Sequence, residues 1–201
     1  MKRKYIGLLV LFVVTGSVWG QLGSRPSGFS DYRSDDMELS FHYPNGWFVL
    51  EMDGGLTVAN REALLESVDT EMDMPDLKPG DTAMVIGMMP TFFMMMMGIP
   101  TDDITMILDG MFDNIVSSDE GNLDNSATEV LEFEGRRVAT VTFDDSSQDA
   151  SGIFLVAHEQ EDVILFGVAY GYRDSLDRNR KQLARTIASV EFTGDLASML
   201  Q

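Results

Sequence analysis

A catalytic centre needs few residue types, and two of the commonest are scarce here: the chain has two histidines and no cysteine. Thiolate chemistry is excluded, and only His42 and His158 can offer an imidazole base. His42 falls on the polar side of an alternating segment and His158 ends an apolar one, so both read as surface or edge residues. Serines are plentiful, yet none sits in a Gly-x-Ser-x-Gly elbow. Asp53-Gly54-Gly55 is too short for a phosphate loop. No catalytic residue is assigned.

Carboxylates are the next resource. Asp69-x-Glu71-x-Asp73 imitates the opening of a calcium loop, but the Gly at position six and the Glu at position twelve are missing. Asp144-Asp145…Asp149 and Glu159…Glu161-Asp162 sit at expected hairpin turns, where acids occur because turns are wet. No metal ligand and no cofactor is assigned. On the basic side, Arg173, Arg178, Arg180, Lys181 and Arg185 gather on the closing helix. They read as a solvated face, with a docking patch as the alternative.

The least ordinary stretch is Ala83–Pro100, eighteen residues without a charge, containing Met84, Met88, Met89 and the run Met94–Met97. Gly87, Pro90, Gly98 and Pro100 interrupt it, and it barely reaches the length of a membrane span. Thioether clusters favour Cu(I), but four consecutive methionines do not point one way on any regular element. A strand ending near Met88–Met89 and a helix starting after Pro100 leave a connection of about ten residues, long for a compact domain. Connections run over the surface, and this one cannot turn Phe92, Phe93, Met94, Met95, Met96 and Met97 all inward. These six form the expected partner-binding surface, suited to an envelope protein, a lipid or a second copy of the chain.

The elements that must position these groups follow from periodicity. Met1-Lys2-Arg3-Lys4 and the uncharged run from Tyr5 to Gly20 form a secretory signal, with Val18 and Gly20 suited to a cut before Gln21. The alternative is an uncleaved membrane anchor, although sixteen residues fall a little short of the roughly 20 a spanning helix needs. Either way the chain is expected to be exported, to the cell envelope or beyond. Without residues 1–20 the charge is 11 minus 33, or −22. That excludes a nucleic-acid footprint and disfavours anionic lipid.

Residues 21–35 are a Gly/Ser/Pro-rich linker, 36–193 a single domain, and 194–201 a tail. Leu39, Phe41 and Tyr43 alternate with Ser40 and His42; Pro44-Asn45-Gly46 turns; Trp47 opens a second apolar run, so the segment reads strand, tight turn, strand. Trp47 is expected in the core and His42 outside it. Asn60 is expected to cap a short helix over 60–68, and Thr82–Met88 is a strand. Ile104, Ile107, Leu108, Met111, Phe112 and Ile115 predict a helix over 101–116 behind a Thr-Asp-Asp cap. Strands follow around the Glu134-Gly135 turn, and the unbroken runs Ile153–Ala157 and Val163–Ala169 predict central strands covered on both faces. Asp174 or Ser175 is expected to cap a last helix lined by Leu176, Leu183, Ile187 and Val190.

The Tyr-Pro-Asn-Gly-Trp block with its flanking strands, and the closing helix that ends Ala-Ser-Val-Glu-Phe, resemble the PsbP-like family of secreted proteins, which shares its fold with Mog-type Ran-binding proteins. The resemblance spans roughly residues 36–193. It implies an α/β (α+β) fold, an antiparallel sheet with helices on both faces in an α/β/α sandwich, and a non-enzymatic binding or accessory role. It supplies no motif onto which ligands carry over. The rival expectations are a Met-rich copper-handling protein and an acid-dependent hydrolase.

Overall fold

The two longest unbroken apolar runs end up at the centre of the molecule. In the computed structural model, which describes residues 26–35, 37–52, 55–65, 77–118, 123–145, 151–160 and 163–192, they form β9 (Ser151–Gln160) and β10 (Val163–Gly171). Both are inner strands of an eight-stranded antiparallel sheet. Around them lie β3 (Phe48–Met52), β4 (Gly55–Ala59), β5 (Thr82–Pro90), β6 (Leu123–Asn125) and β8 (Arg136–Asp145), in the order β3-β4-β5-β10-β9-β8-β6, with β7 (Glu129–Phe133) also paired to β8. The reason for the unbroken runs is visible in β9. Ile153, Leu155 and Ala157 enter one core while Phe154 and Val156 enter another on the opposite face. A strand with two dry faces has no polar side to alternate with.

Helices α1 (Thr91–Met96) and α2 (Ile104–Ser118) lie on one face, α1 against β5 and α2 against β8 and β9. Helix α3 (Arg173–Ala188) packs on the other face, against β5, β8, β9 and β10. The fold is mixed α+β with helices on both faces of an antiparallel sheet. On the α2 face two glycines lie directly under aromatic rings. Phe143 faces Gly152 across β8–β9 and Phe166 faces Gly87 across β10–β5. A Cβ at Gly152 would meet the Phe143 ring at 2.1 Å, so each ring fills the space its partner lacks.

A second sheet also forms. β1 (Phe29–Ser34), β2 (Leu39–Pro44) and β11 (Glu191–Phe192) make an antiparallel three-stranded sheet with β2 in the middle. Helix α3 touches β2 as well as the large sheet, so Leu39 and Phe41 join its core. The segment read as strand, turn, strand is therefore a corner and not a hairpin: β2 and β3 belong to different sheets. The Trp47 amide donates to the Pro44 carbonyl at 3.1 Å, and Gly46 takes the positive φ of 80° that position i+2 of a type II turn requires.

Several expectations are corrected. The linker over 21–35 is shorter than expected, because Phe29–Ser34 forms β1 and pairs residue by residue with Ser34↔Leu39 through Phe29↔Pro44. Trp47 is half-buried against the α3 core, while Phe41 and Leu39 are the fully enclosed anchors. Asn60 does not cap a helix; its side chain donates to the Gly80 carbonyl and accepts from the Thr82 amide, tying the end of β4 to β5. Neither Asp174 nor Ser175 caps α3. Tyr172 stands at the cap position, and Ser175 is buried with its hydroxyl donated to the Gly80 carbonyl. The Thr-Asp-Asp cap of α2 is present: the Asp103 carboxylate accepts from the Thr105 amide at 2.7 Å. The expected signal at 1–20, the tail at 194–201, the Asp69–Asp73 motif, and the side chains of Ile115, Asp145 and His158 lie outside the described residues.

Two carboxylates tie loops to this frame. Asp81 is buried, and burial alone would push its pKa up. The Arg61 guanidinium, donating at 3.0 and 2.5 Å, and the Lys78 amide at 2.7 Å outweigh that and hold it below the usual carboxylate range. Asp144 is lowered in the same way, by Arg173 first and then by the Ser151 hydroxyl. A folded pKa below the unfolded one gives stability that is complete above the unfolded value, near 4, and disappears as pH falls through the folded value. The urea midpoint is therefore expected to fall as pH drops below about 4, and less steeply in Asp81→Asn. Equal midpoints at pH 6 and pH 3, or an unchanged pH dependence in the variant, would contradict this assignment.

Candidate functional site

Among the described residues, two places gather several side chains that the packing leaves available. The first is α1. Phe92, Phe93, Met95, Met96 and Met97 are between 38% and 67% exposed, whereas Met94 is fully buried in the α2-side core. The expected loop is thus a helix, and its geometry sorts the run of methionines. Successive residues are turned by about 100°, so Met94 points into the sheet while Met95 and Met96 point away from it. Met94 does not belong to the surface with the other five residues named from sequence. Phe92 and Phe93 stack edge to face with centroids 6.0 Å apart. Thr91 and Met94 hold the helix down, and the Met97 amide bonds back to the Phe93 carbonyl at 3.1 Å.

The second place is a cleft of about 180 Å³ lined by His42, Phe133, Arg136, Arg185 and Ser189 among others. It lies where the end of α3 meets β2 and the β7–β8 turn. His42 is 4% exposed, contrary to the expectation of a surface residue. Strand β2 runs between β1 and β11, and the last turn of α3 closes over its polar side, so that side is buried too. The His42 ring meets Asp31 Oδ1 through Nδ1 at 2.9 Å.

Ser189, His42 and Asp31 thus come together, but not as a nucleophilic triad. The Ser189 Oγ accepts from the His42 amide at 2.8 Å and donates to the Thr186 carbonyl at 2.8 Å. The hydroxyl is a clamp between β2 and the end of α3, and its bonds run to backbone rather than to the imidazole. Arg136 supports the same helix end by donating to the Ala188 and Val190 carbonyls, at 3.1 and 2.5 Å. The Ala188 carbonyl is one of the orphan acceptors of the helix C-terminus. Glu134, also on the lining, sits at a φ of 53°, in the left-handed region that few non-glycine residues occupy.

The basic residues of α3 do not act together. Arg173 pairs with Asp144 and Arg180 with Glu129, while Arg178 bonds to the Asp174 carbonyl. Arg185 differs: its guanidinium carbon lies 5.3 Å from the Phe133 ring centroid and 5.9 Å from that of Phe29. Its Nε is buried with no hydrogen-bond partner. Sequence reasoning put Arg185 on a solvated face and did not find the cleft, because its walls come from four separated segments.

Elsewhere, burial pushes the Tyr170 phenol up to about 12, in an apolar cluster with Leu64, Leu65 and Ala83. Among the described residues no group of three or more His, Asp or Glu is placed to hold a metal ion. No helix among them is long and apolar enough to cross a membrane.

The sequence matches no protein-family model and no curated protein. Among solved structures, a Bacteroides thetaiotaomicron VPI-5482 protein aligns with 82% of this chain and 48% of its own, at 13% identity and a TM-score of 0.36. The chain is also similar in structure to cyanobacterial PsbP from Synechocystis sp. PCC 6803, over 88% of this chain and 99% of that one, at 13% identity and a TM-score of 0.46.

Proposed function

We propose that this chain is an exported, non-enzymatic binding module that docks α1 into an apolar groove of a protein partner in the cell envelope. The observation that carries the reading is the placement of Phe92, Phe93, Met95 and Met96 on a short helix, with Met97 at its end, fastened to the core by Met94. Contiguous exposed apolar side chains on an otherwise acidic protein mark an interaction site. Unbranched thioethers adapt to an irregular groove. The formal charge of −19 opposes adsorption to anionic lipid, which favours a protein over a bilayer. Copper handling gains no support from α1, since neighbouring thioethers on a helix diverge. Export rests on Met1–Lys4 and the apolar run behind them.

The test is a triple variant, Met95→Ser, Met96→Ser and Met97→Ser, which spares Met94. A photo-crosslinker at position 96 of the wild type should capture one envelope protein. The triple variant should keep the wild-type circular dichroism and lose at least tenfold in affinity for that partner, as hot-spot residues do. Unchanged affinity would end the proposal. So would crosslinks only to a second copy of the chain, or co-flotation with neutral liposomes.

A further inference from the structure

We propose that the cleft between the end of α3, β2 and the β7–β8 turn binds a small zwitterion, a carboxylate and an ammonium a few bonds apart, of which a free α-amino acid is the simplest. The cleft shares no residue with α1, and the charges on its lining define the occupant. The lining carries Arg136 and Arg185, and it also carries Glu134 and Glu191. Among the described residues, neither Arg185 nor either glutamate has an ion-pair partner, although they share a cleft of about 180 Å³. Charges of both signs that line one cleft without pairing to each other can be met together by one molecule that carries both signs.

Arg185 supplies the more specific half. The Phe29 and Phe133 rings hold its guanidinium from the sides, and Nε is buried without an acceptor. A planar fork held in place loses little freedom when a carboxylate arrives. A bidentate carboxylate is the acceptor such a fork fits best. A simple anion meets two glutamates and a strongly acidic protein, so it is a poor occupant. A simple cation meets two guanidinium groups. A molecule bearing both signs satisfies both halves, with its carboxylate on Arg185 and its ammonium toward Glu134 and Glu191. Pro26, Phe133 and Ala188 supply apolar wall for a side chain.

Titration calorimetry and amide chemical shifts on the full chain test this with four probes at equal ionic strength: L-leucine, glycine, acetate and methylammonium. L-leucine is expected to bind most tightly and to shift amides around Phe133–Arg136 and Arg185–Ser189. Acetate and methylammonium should each bind at least tenfold more weakly. Arg185→Gln should lose tenfold or more for leucine, and Glu191→Gln should weaken leucine while leaving acetate unchanged or stronger. The second variant removes no ion pair or ring contact and keeps the test valid if Arg185→Gln fails to fold. The α1 triple variant should bind leucine as wild type does, so loss of one site is separable from loss of the other. No shift with either amino acid, acetate binding as tightly as leucine, or full affinity in a folded Arg185→Gln would overturn the proposal.

Discussion

Phe41→Ala is expected to destabilise the protein by about 3–5 kcal/mol, the range for deleting a buried aromatic. The side chain has no exposed surface, and it joins Leu39 from β2 to the α3 core shared with β5, β8, β9 and β10. It also anchors an aromatic cluster, with ring centroids 5.2 Å from Tyr32 and 6.2 Å from Tyr43. Truncation leaves a cavity where two sheets and a helix meet, and the backbone of β2, paired on both edges, cannot collapse into it. Trp47→Ala should cost less than Phe41→Ala, because the indole is only half-buried at the corner between the sheets. Urea denaturation of the two variants beside wild type decides the order. A larger loss for Trp47→Ala would mean that the corner, and not β2, joins the small sheet to the large one.

Met94→Ala is expected to cost about 2–5 kcal/mol, although its three neighbours in the same run are each expected to tolerate substitution within about 0.5 kcal/mol. Met94 is fully buried among Met89, Ile99, Ile104 and Ile164, filling the gap where α1 crosses from β5 toward α2. The Ile99 amide bonds to the Met94 carbonyl at 2.9 Å, so the residue organises both the core beneath it and the chain after it. Met95, Met96 and Met97 meet solvent instead. Replacing all four together would therefore mix a core defect with a surface change. Thermal melts of Met94→Ala and Met96→Ala, made separately, should differ by several degrees for a domain of this size. Coincident melts would show that α1 is not seated on the sheet.

Features that depend on local period and composition were legible in the amino-acid order alone. Unbroken apolar runs placed β9 and β10 at the centre of the sheet, because a strand covered on both faces has no use for polar residues. The spacing of Ile104, Ile107, Leu108, Met111 and Phe112 marked the buried face of α2, and the Thr-Asp-Asp segment marked its start, with Asp103 as the capping residue and Ile104, not Thr101, as the first helical one. An uncharged segment with too many large side chains for its length already indicated that some apolar surface stays outside. Which of those side chains it is depends on the packed fold, since a helix in place of a loop turns Met94 inward and its neighbours outward. The packed fold also makes the Pro44–Trp47 turn a corner between two sheets. A turn sequence specifies the local backbone, but not whether the strands on either side pair with each other. The cleft was beyond sequence for the same reason. Pro26, His42, Phe133–Arg136 and Arg185–Glu191 are far apart along the chain, and no period connects them. Their meeting follows from α3 packing against β2 and the large sheet together, which buries a histidine that strand alternation alone places on the wet side.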